Sequence, residues 1–428
     1  MKMLNRIVLK YLFTVMVVVS VTASPVWGAQ KPCTVTVALG GDVYLGGGVL
    51  KYLKKNKKDY YFKSMEKLFK ESDVSILNLE VPFTDHKEKF MEKLYIMKAP
   101  DYMVGSLTGI GIDAVSLANN HMMDYGKVGL EDTLEVLDKA CIEYSGAGVD
   151  LSEARTPAVV TISGGVKVAL LSYSKTYPLE FYAKRKRAGT APGYMSYVKK
   201  DVELARENAD IVVVAFHWGS EFMKTPRSYQ KELAKAAIDS GAQIVVGHHP
   251  HVLQGVESYK GGIILYSLGN LVFGTLSRGS VEGMVAKVTL LRGDDGSYSF
   301  HTTELLPLDV ENRVVRYGPS PIEGEAAESL LKELTGKRLM TYEELKKADK
   351  KKKRAKKKDG KDKVAGNTSK PDEKDARKEG SGEGDILLLD PKDAKYSKVL
   401  PLCIDCPKPI KNPNFLLHYA RLCGNLYN

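Results

Sequence analysis

Long apolar runs are scarce in this 428-residue sequence, and one of them lies at its N-terminus. The apolar stretch at residues 11–21 follows Lys2, Arg6 and Lys10 and precedes small and turn-forming residues. It is slightly too short to span a bilayer comfortably, and this order of segments is typical of a secretory signal peptide. We therefore predict that residues 1–29 are a signal peptide or an uncleaved signal anchor. The protein is then expected to be exported, and to be periplasmic or at the cell surface.

The chain also contains few cysteines, five in all, which is an odd number. In an oxidising compartment Cys403, Cys406 and Cys423 could contribute one disulfide. A zinc site formed by these three cysteines and His418 is the alternative. The sequence before Cys33 lacks the small apolar triplet of a lipid attachment site, so Cys33 is interpreted as an ordinary residue at the start of a strand.

Excess charge is missing from most of the chain, although the formal net charge is +11. Residues 346–363 hold twelve Lys or Arg against three Asp, which supplies +9. The basic character therefore belongs to a tail, and no specific nucleic-acid binding is expected. A run of this kind could still contact polyanions or an anionic membrane surface through counterion release. Because residues 340–385 contain almost no apolar side chains, we predict a disordered Lys-rich linker there, followed by a Cys-containing C-terminal segment at 386–428.

The remaining residues, 33–320, alternate short β-branched runs with longer amphipathic stretches, which predicts an α/β domain. Periods of three and four predict helices near residues 61–70, 129–140 and 229–240. Hairpins are predicted at 157–173 and across 283–291 and 298–306. The predicted strands are Thr34 to Leu39, Val74 to Leu79, Ala114 to Leu117, Ile211 to Phe216, Gln243 to Val246 and Ile263 to Tyr266.

Polar side chains collect where five of these strands end, and five of the eight histidines are among them. A strand-terminal Asp or a single His is more often structural than functional. Because the carboxyl ends of strands in an open α/β sheet share one rim, five such ends can converge. Mixed oxygen and imidazole ligands suit Mn, Fe or Zn, whereas calcium would use oxygen alone. The residues concerned are Asp42, Glu80, Asn119, Asn120, His121, His217, His248, His249 and His251.

These residues lie in a series of motifs that resembles the CapA-type poly-γ-glutamate capsule biosynthesis family over residues 35–285. That family is similar to the calcineurin-like metallophosphoesterases, so the resemblance implies a sandwich of α-β-β-α layers and a divalent metal, one or two ions. The motifs are Gly41-Asp42, Asn78-Leu79-Glu80, Ser116-Leu117-Ala118-Asn119-Asn120-His121 with Asp124-Tyr125-Gly126, His217-Trp218-Gly219, Gly247-His248-His249-Pro250-His251 and Ser267-Leu268-Gly269-Asn270.

When the phosphoesterase ligands are matched in order to the motifs of this chain, the resemblance implies six metal ligands. Glu80 is the candidate bridge between two ions. His121, beside a ligand, would protonate a leaving group or stabilise developing charge. His248, Asp124 and Asn270 would lie behind the ligands, although Asp124 is most simply a helix cap and His248 could replace His249. The six ligands are Asp42, Glu80, Asn120, His217, His249 and His251.

Two departures from the phosphoesterase pattern bear on activity. Tyr44 stands where that pattern has the His of Asp-x-His, and Glu80 replaces an Asp. Three functions remain open: synthesis, export or anchoring of an anionic γ-glutamyl polymer; general hydrolysis of an envelope phosphoester or amide; and non-catalytic binding or assembly. The expected partners are an anionic polymer or envelope substrate and membrane-bound polymer synthase subunits.

Overall fold

The computed structural model describes residues 31–53, 60–276, 279–336 and 385–388. The predicted signal segment, the Lys-rich linker and most of the C-terminal segment, with Cys403, Cys406 and Cys423, lie outside these ranges. Within them, no helix is long and apolar enough to cross a membrane. Cys33 and Cys141 are each disulfide-bonded, so Cys33 is more than an ordinary residue at the start of a strand.

The described strands are β1 (Thr34–Tyr44), β2 (Val74–Leu79), β3 (Ala114–Ser116), β4 (Glu143–Ser145), β5 (Ala147–Gly148), β6 (Ala158–Thr161), β7 (Lys167–Ser174), β8 (Gly189–Thr190), β9 (Ile211–His217), β10 (Ile244–His248), β11 (Leu253–Tyr259), β12 (Gly262–Leu268), β13 (Asn270–Phe273), β14 (Glu282–Arg292), β15 (Tyr298–Asp309), β16 (Ser320–Pro321) and β17 (Asp385–Leu388). The described helices are α1 (Gly48–Leu53), α2 (Glu66–Glu71), α3 (Gly105–Thr108), α4 (Gly126–Lys139), α5 (Leu151–Ala154), α6 (Met195–Asn208), α7 (Ser228–Asp239), α8 (Asn312–Val315) and α9 (Gly324–Thr335).

Two mixed sheets form the centre of the fold. The first has the order β16-β15-β14-β1-β2-β3-β4, with β13 paired to β1 and β17 paired to β15. The second has the order β11-β12-β10-β9-β7-β6. β1 to β4 are mutually parallel, as are β7, β9, β10 and β12. Their carboxyl ends therefore meet at one end of each sheet.

Alternation along the central strands explains how the sheets pack. On β1, Val35 and Val37 face a core shared with β9 residues of the second sheet, whereas Ala38 joins a separate cluster with α2 and α4. On β9, Val213 faces the shared core and Val214 faces α6 and α7. Because successive side chains of a strand point to opposite faces, the layers run helix, sheet, sheet, helix. The predicted α-β-β-α sandwich is confirmed.

The structure confirms the predicted strands and both hairpins, with most strands extended by one or a few residues. Helix α2 begins later than predicted, after a short 3-10 turn at Tyr60–Phe62. Six of the described helices escaped the sequence patterns, and the two longest of these are α6 and α9. α9 lies beyond residue 320, the predicted end of the domain, and places Leu330 and Leu331 in the core between the sheets.

A carboxylate at the start of β3 makes stability dependent on pH. Asp113 accepts a 2.8 Å hydrogen bond from the Ser75 backbone N–H. Burial raises its pKa from 3.8 to about 6, and the charge of Asp73 adds to this effect. An acid with a raised pKa in the folded state stabilises the fold below its unfolded pKa and loses that contribution as pH rises through the folded value.

We therefore expect Asp113→Asn to match the wild type in free energy of unfolding at pH 4 and to exceed it at pH 7.5, by at most about 3 kcal/mol. The Asn side-chain oxygen can still accept the Ser75 N–H. Urea denaturation at the two pH values measures this difference. Asp294→Asn, at an exposed turn, is the matched control. A stability gain of Asp113→Asn that is equal at both pH values would show that this carboxylate is not the titrating group.

Candidate metal centre

Asp42 lies at a bulge near the end of β1, where the register shifts against both β2 and β13. Its backbone N–H donates to Gly269 O at 2.9 Å, which ties β1 to the turn before β13. Gly41 allows this approach, because a Cβ there would lie 2.2 Å from Gly269 O. The bulge therefore fixes the direction of the Asp42 carboxylate.

The Asp42 carboxylate is fully buried and contacts residues from two other strand ends, those of β2 and β10. Its Oδ1 accepts from Asn78 Nδ2 at 2.9 Å, and its Oδ2 accepts from the His249 backbone N–H at 3.1 Å. Burial would raise the pKa of Asp42, but hydrogen bonds and charges from His248 and His251 lower it well below its ordinary value. Asp42 is therefore ionised, and it joins β1, β2 and the loop after β10.

Glu80, directly after β2, is also fully buried. Neither of its oxygens accepts a hydrogen bond from any residue that the structure describes. Its Oε1 lies 3.4 Å from His217 Nε2 and 3.8 Å from His251 Nε2. Burial, and then the charge of Asp42, raise the pKa of Glu80 well above its ordinary value. A buried carboxylate without donors is costly unless a cation compensates it.

His217 ends β9 and brings the second sheet to the centre. Its Nε2 lies 2.8 Å from Asn120 Oδ1, and its Nδ1 lies 3.4 Å from Asn78 Nδ2. Burial, and then His249, lower the pKa of His217 well below its ordinary value. The ring is therefore neutral, as a metal ligand must be. Asn120 thus reaches the centre, whereas Asn119 donates to Leu79 O and accepts from the His121 N–H within the loop.

The loop after β10 supplies the remaining imidazoles in a strained backbone. His249 and His251 have φ values of +92° and +56°, a region that L residues rarely adopt. This conformation points both side chains to the same side, with ring centroids 6.0 Å apart. The His251 Nδ1 lies 2.8 Å from Asn270 Oδ1. Backbone strain of this kind clusters at functional sites.

The two imidazoles differ in protonation. Burial, and then His251, lower the pKa of His249 to about 3. Burial would lower the pKa of His251 as well, but Glu80 and then Asp42 raise it to about 10. In the metal-free chain His251 therefore carries a charge that partly compensates both Glu80 and Asp42.

These side chains form three overlapping groups, in each of which the ligand atoms lie within 4.8 Å of one another. The groups are Glu80 with His217 and His249, Asp42 with Glu80 and His251, and Glu221 with His249 and His251. The donor chemistry fits a divalent cation of the Mn, Fe or Zn type, and the bare oxygens of Glu80 favour such a cation. Glu221 was missed by the sequence patterns, although it follows His217 by only four residues.

His121 lies beside the ligands, and Asp124 holds its ring in place. Its Nδ1 is 2.8 Å from Asp124 Oδ2, and Lys93 Nζ is 2.6 Å from Asp124 Oδ1. Burial lowers the pKa of His121 to about 4, although the Asp124 hydrogen bond opposes this effect. With the Nδ1 proton directed to the carboxylate, Nε2 keeps a free lone pair. In this state His121 accepts a proton, and it can donate one only after capturing it.

Asp124 differs from its first interpretation, Lys93 was not anticipated, and Trp218 packs in the core. The helix-cap interpretation of Asp124 is wrong, because the cap of α4 is Tyr125, and Asp124 Oδ2 accepts from the Met97 N–H at 2.7 Å. The Lys93 side chain that completes this arrangement was missed, because it comes from a segment between β2 and β3 that has no periodic pattern. Trp218 is fully buried and stacks on Phe216, which is a packing role.

Two predicted positions lie behind or beside the ligands. The His248 Nδ1 is 3.1 Å from Asp42 Oδ1, and His248 belongs to none of the three groups. Tyr44 packs edge-on against Phe273 at 5.5 Å, and burial raises its pKa to about 12. Tyr44 is therefore a neutral packing residue where the phosphoesterase pattern has a ligand.

The chain resembles solved structures only distantly. It aligns with a putative 5'-nucleotidase from Staphylococcus aureus at 13% identity and a TM-score of 0.42, over 70% of this chain and 58% of that one. It aligns with the calcineurin-like phosphoesterase YfkN from Bacillus subtilis at 14% identity and a TM-score of 0.41, over 66% and 93% of the two chains.

Sequence comparison is more decisive. The chain is 33% identical over 298 residues to the PGA biosynthesis protein CapA of Bacillus subtilis (strain 168), covering 69% of this chain and 76% of the relative. It is 35% identical over 245 residues to the capsule biosynthesis protein CapA of Bacillus anthracis, covering 56% of this chain and 59% of that relative. The family model described as bacterial capsule synthesis protein PGA_cap matches residues 36–275, which is more than half of the chain and contains every strand end of the metal centre. The chain therefore belongs to the PGA_cap family of bacterial capsule synthesis proteins.

Proposed function

We propose that this chain is an exported, metal-dependent protein that acts in the synthesis, export or anchoring of poly-γ-glutamate or a related anionic capsule polymer. The observation that carries the metal part of the proposal is Glu80, a fully buried carboxylate whose oxygens lack donors among the described residues and face His217 and His251. The polymer part rests on the family and on the relatives' names.

The residues that would hold the cation are Asp42, Glu80, Asn120, His217, His249 and His251. When bound, a divalent ion polarises a carbonyl or phosphoryl oxygen of the substrate. The chain's own groups do the rest. Asn78 orients Asp42, Asn270 orients His251, and the Asp124 carboxylate holds His121 so that its Nε2 can accept a proton at the edge of the centre.

Two cations near the centre fit an anionic substrate. Lys93 is mostly buried and pairs with Asp124. Lys175 is exposed, and its backbone N–H donates to His217 O at 2.8 Å, so it emerges directly beside the ligand-bearing end of β9. Its Nζ lies 5.2 Å from the Tyr194 ring centroid. An exposed lysine at this position can contact a carboxylate of a polymer that approaches the centre.

Export and membrane association are also part of the proposal. The N-terminal pattern supports export, and the disulfides of Cys33 and Cys141 fit an oxidising compartment. The partners would be the anionic polymer, membrane-bound synthase subunits and a membrane surface that the basic residues 346–363 could contact.

A metal-binding test can separate this site from a purely structural one. We expect Mn²⁺ at 100 times its Kd to raise the free energy of unfolding of the wild type by about 2.7 kcal/mol. Glu80→Gln should abolish this increase while leaving the metal-free protein at least as stable, because it removes a fully buried acid whose oxygens accept no hydrogen bond from the described residues. Thermal unfolding with and without Mn²⁺, together with elemental analysis, measures both effects.

Glu304→Gln is the control for this test, since it removes a mostly buried carboxylate on β15 that pairs with Lys287 on β14. It should lower stability with and without Mn²⁺ and keep the metal-dependent increase. A full increase in Glu80→Gln would contradict the metal centre. A wild type that retains no metal under any loading condition would favour the non-catalytic binding role.

The substrate class is tested by hydrolysis assays of the Mn²⁺-loaded protein with a γ-glutamyl polymer and with a small phosphoester. We expect Lys175→Ala to raise KM for the polymer by up to about fivefold, the range of an exposed charge pair, with kcat little changed and with the effect fading at high salt. Lys167→Ala, at the opposite end of β7, is the matched control. Hydrolysis of phosphoesters without any polymer cleavage would instead favour a general envelope hydrolase.

Export is tested by expressing the full chain and residues 30–428 in a capsule-forming bacterium and fractionating the cells. We expect the full chain in the envelope or extracytoplasmic fraction and the truncated chain in the cytoplasm, because the N-terminal segment is the export signal. Immunoblotting reports both the compartment and any cleavage. Cytoplasmic retention of the full chain would argue against this part of the proposal.

A further inference from the structure

The solvent side of the centre carries a carboxylate that none of the recognised motifs includes. Glu221 is exposed, yet its carboxylate lies within 4.8 Å of ligand atoms of His249 and His251. The His249 Nδ1 is buried and makes no hydrogen bond within the described chain. An unsatisfied imidazole nitrogen, a second imidazole and an exposed carboxylate together form a donor set that suits a cation.

The backbone fixes Glu221 relative to these histidines. The next residue, Phe222, donates its backbone N–H at 2.8 Å to the carbonyl of Pro250, the residue between His249 and His251. Gly219, with φ of +87°, turns the chain there after β9, and its N–H donates to the Tyr229 hydroxyl at 2.7 Å. The loop after β9 and the loop after β10 are therefore hydrogen-bonded to each other next to His249 and His251. This contact holds the backbone of Glu221 beside the two histidines.

Electrostatics support the same placement. The charge of Glu221 contributes, after burial and Asp42, to the raised pKa of Glu80. It also opposes the lowering of the Lys93 pKa.

His249 belongs to two of the ligand groups, but one imidazole nitrogen can bind only one ion. The inner group of Glu80, His217 and His249 needs it, whereas the group of Asp42, Glu80 and His251 does not. We propose that Glu221 is a metal ligand that binds the same divalent cation as His251 and closes the centre on its solvent side. This inference rests on the proposed metal dependence and adds to it a second, oxygen-rich position formed by Asp42, Glu80, Glu221 and His251.

Oxygen ligands favour Mn²⁺ and imidazoles favour Zn²⁺, so Glu221 would set the metal preference of the second position. The test is a titration of the metal-depleted full chain with Mn²⁺ followed by electron paramagnetic resonance and calorimetry, with Zn²⁺ in parallel. We expect two Mn²⁺ per wild-type chain. Glu221→Gln should weaken one of the two sites at least about tenfold and leave the other unchanged, and Glu221→His should shift that site toward Zn²⁺.

Glu232→Gln, an exposed carboxylate on α7, is the control and should bind as the wild type does. His217→Ala should weaken the other site, so the double variant with Glu221→Gln should lose both. If the wild type binds metal and Glu221→Gln binds the same number of ions with unchanged affinity, the ligand role of Glu221 is overturned while the metal centre stands. If the wild type binds no metal, the proposed function fails first.

Discussion

Two buried carboxylates, Asp42 and Glu80, impose the main constraint on this structure. Both are fully buried, and an ionised carboxylate is very costly to remove from water unless it is paired. The fold compensates Asp42 with a side-chain amide, a backbone N–H and a charged His251. It leaves the Glu80 oxygens without a hydrogen bond among the described residues, and Glu80 shares the charge of the same His251, whose Nε2 lies 3.8 Å away. The difference between these two environments makes the site a candidate for a cation rather than a structural ion-pair network.

Both sheets contribute residues that surround these two carboxylates. Asp42, Glu80 and Asn120 come from the first sheet, and His217 and the loop after β10 come from the second, so the centre lies where the carboxyl ends of both sheets meet. Glycines permit the necessary contacts, because a Cβ on Gly247 would lie 2.0 Å from Tyr266 O. The core between the sheets, with residues such as Val37 and Val213, holds the two sets of strand ends in a constant relation. The ligands are therefore held in position by the apolar side chains that are buried between the two sheets.

Around the ligands lies an outer set of groups that direct them. Asn78 and Asn270 each fix one ligand, while Asp124 links His121 to Lys93. Partners of this kind orient ligands and tune their basicity. Lys93 and Glu221 come from segments outside the strands, which places one cation and one carboxylate at the edge of an otherwise buried site. Specificity is therefore expected to depend on these loops more than on the sheets.

The sequence by itself determined the central strands and the set of strand-end residues, because alternation and polar strand termini are local signals, whereas the layer order was implied by the family resemblance. It could not determine that α9 completes the core, since its apolar residues follow the predicted end of the domain. It also mistook Asp124 for a helix cap, because the spacing alone does not distinguish a cap from a residue that orients His121.

Only the tertiary structure decided which strand-end residues touch. It placed His248 beside Asp42 rather than among the ligand groups, kept Tyr44 in the packing and brought Glu221 and Lys93 to the site. The physical reason is that these positions depend on a bulge in β1, on positive φ angles at His249 and His251 and on a hydrogen bond between two distant loops. None of these leaves a periodic signal in the chain, because each arises only when segments distant in sequence are packed together.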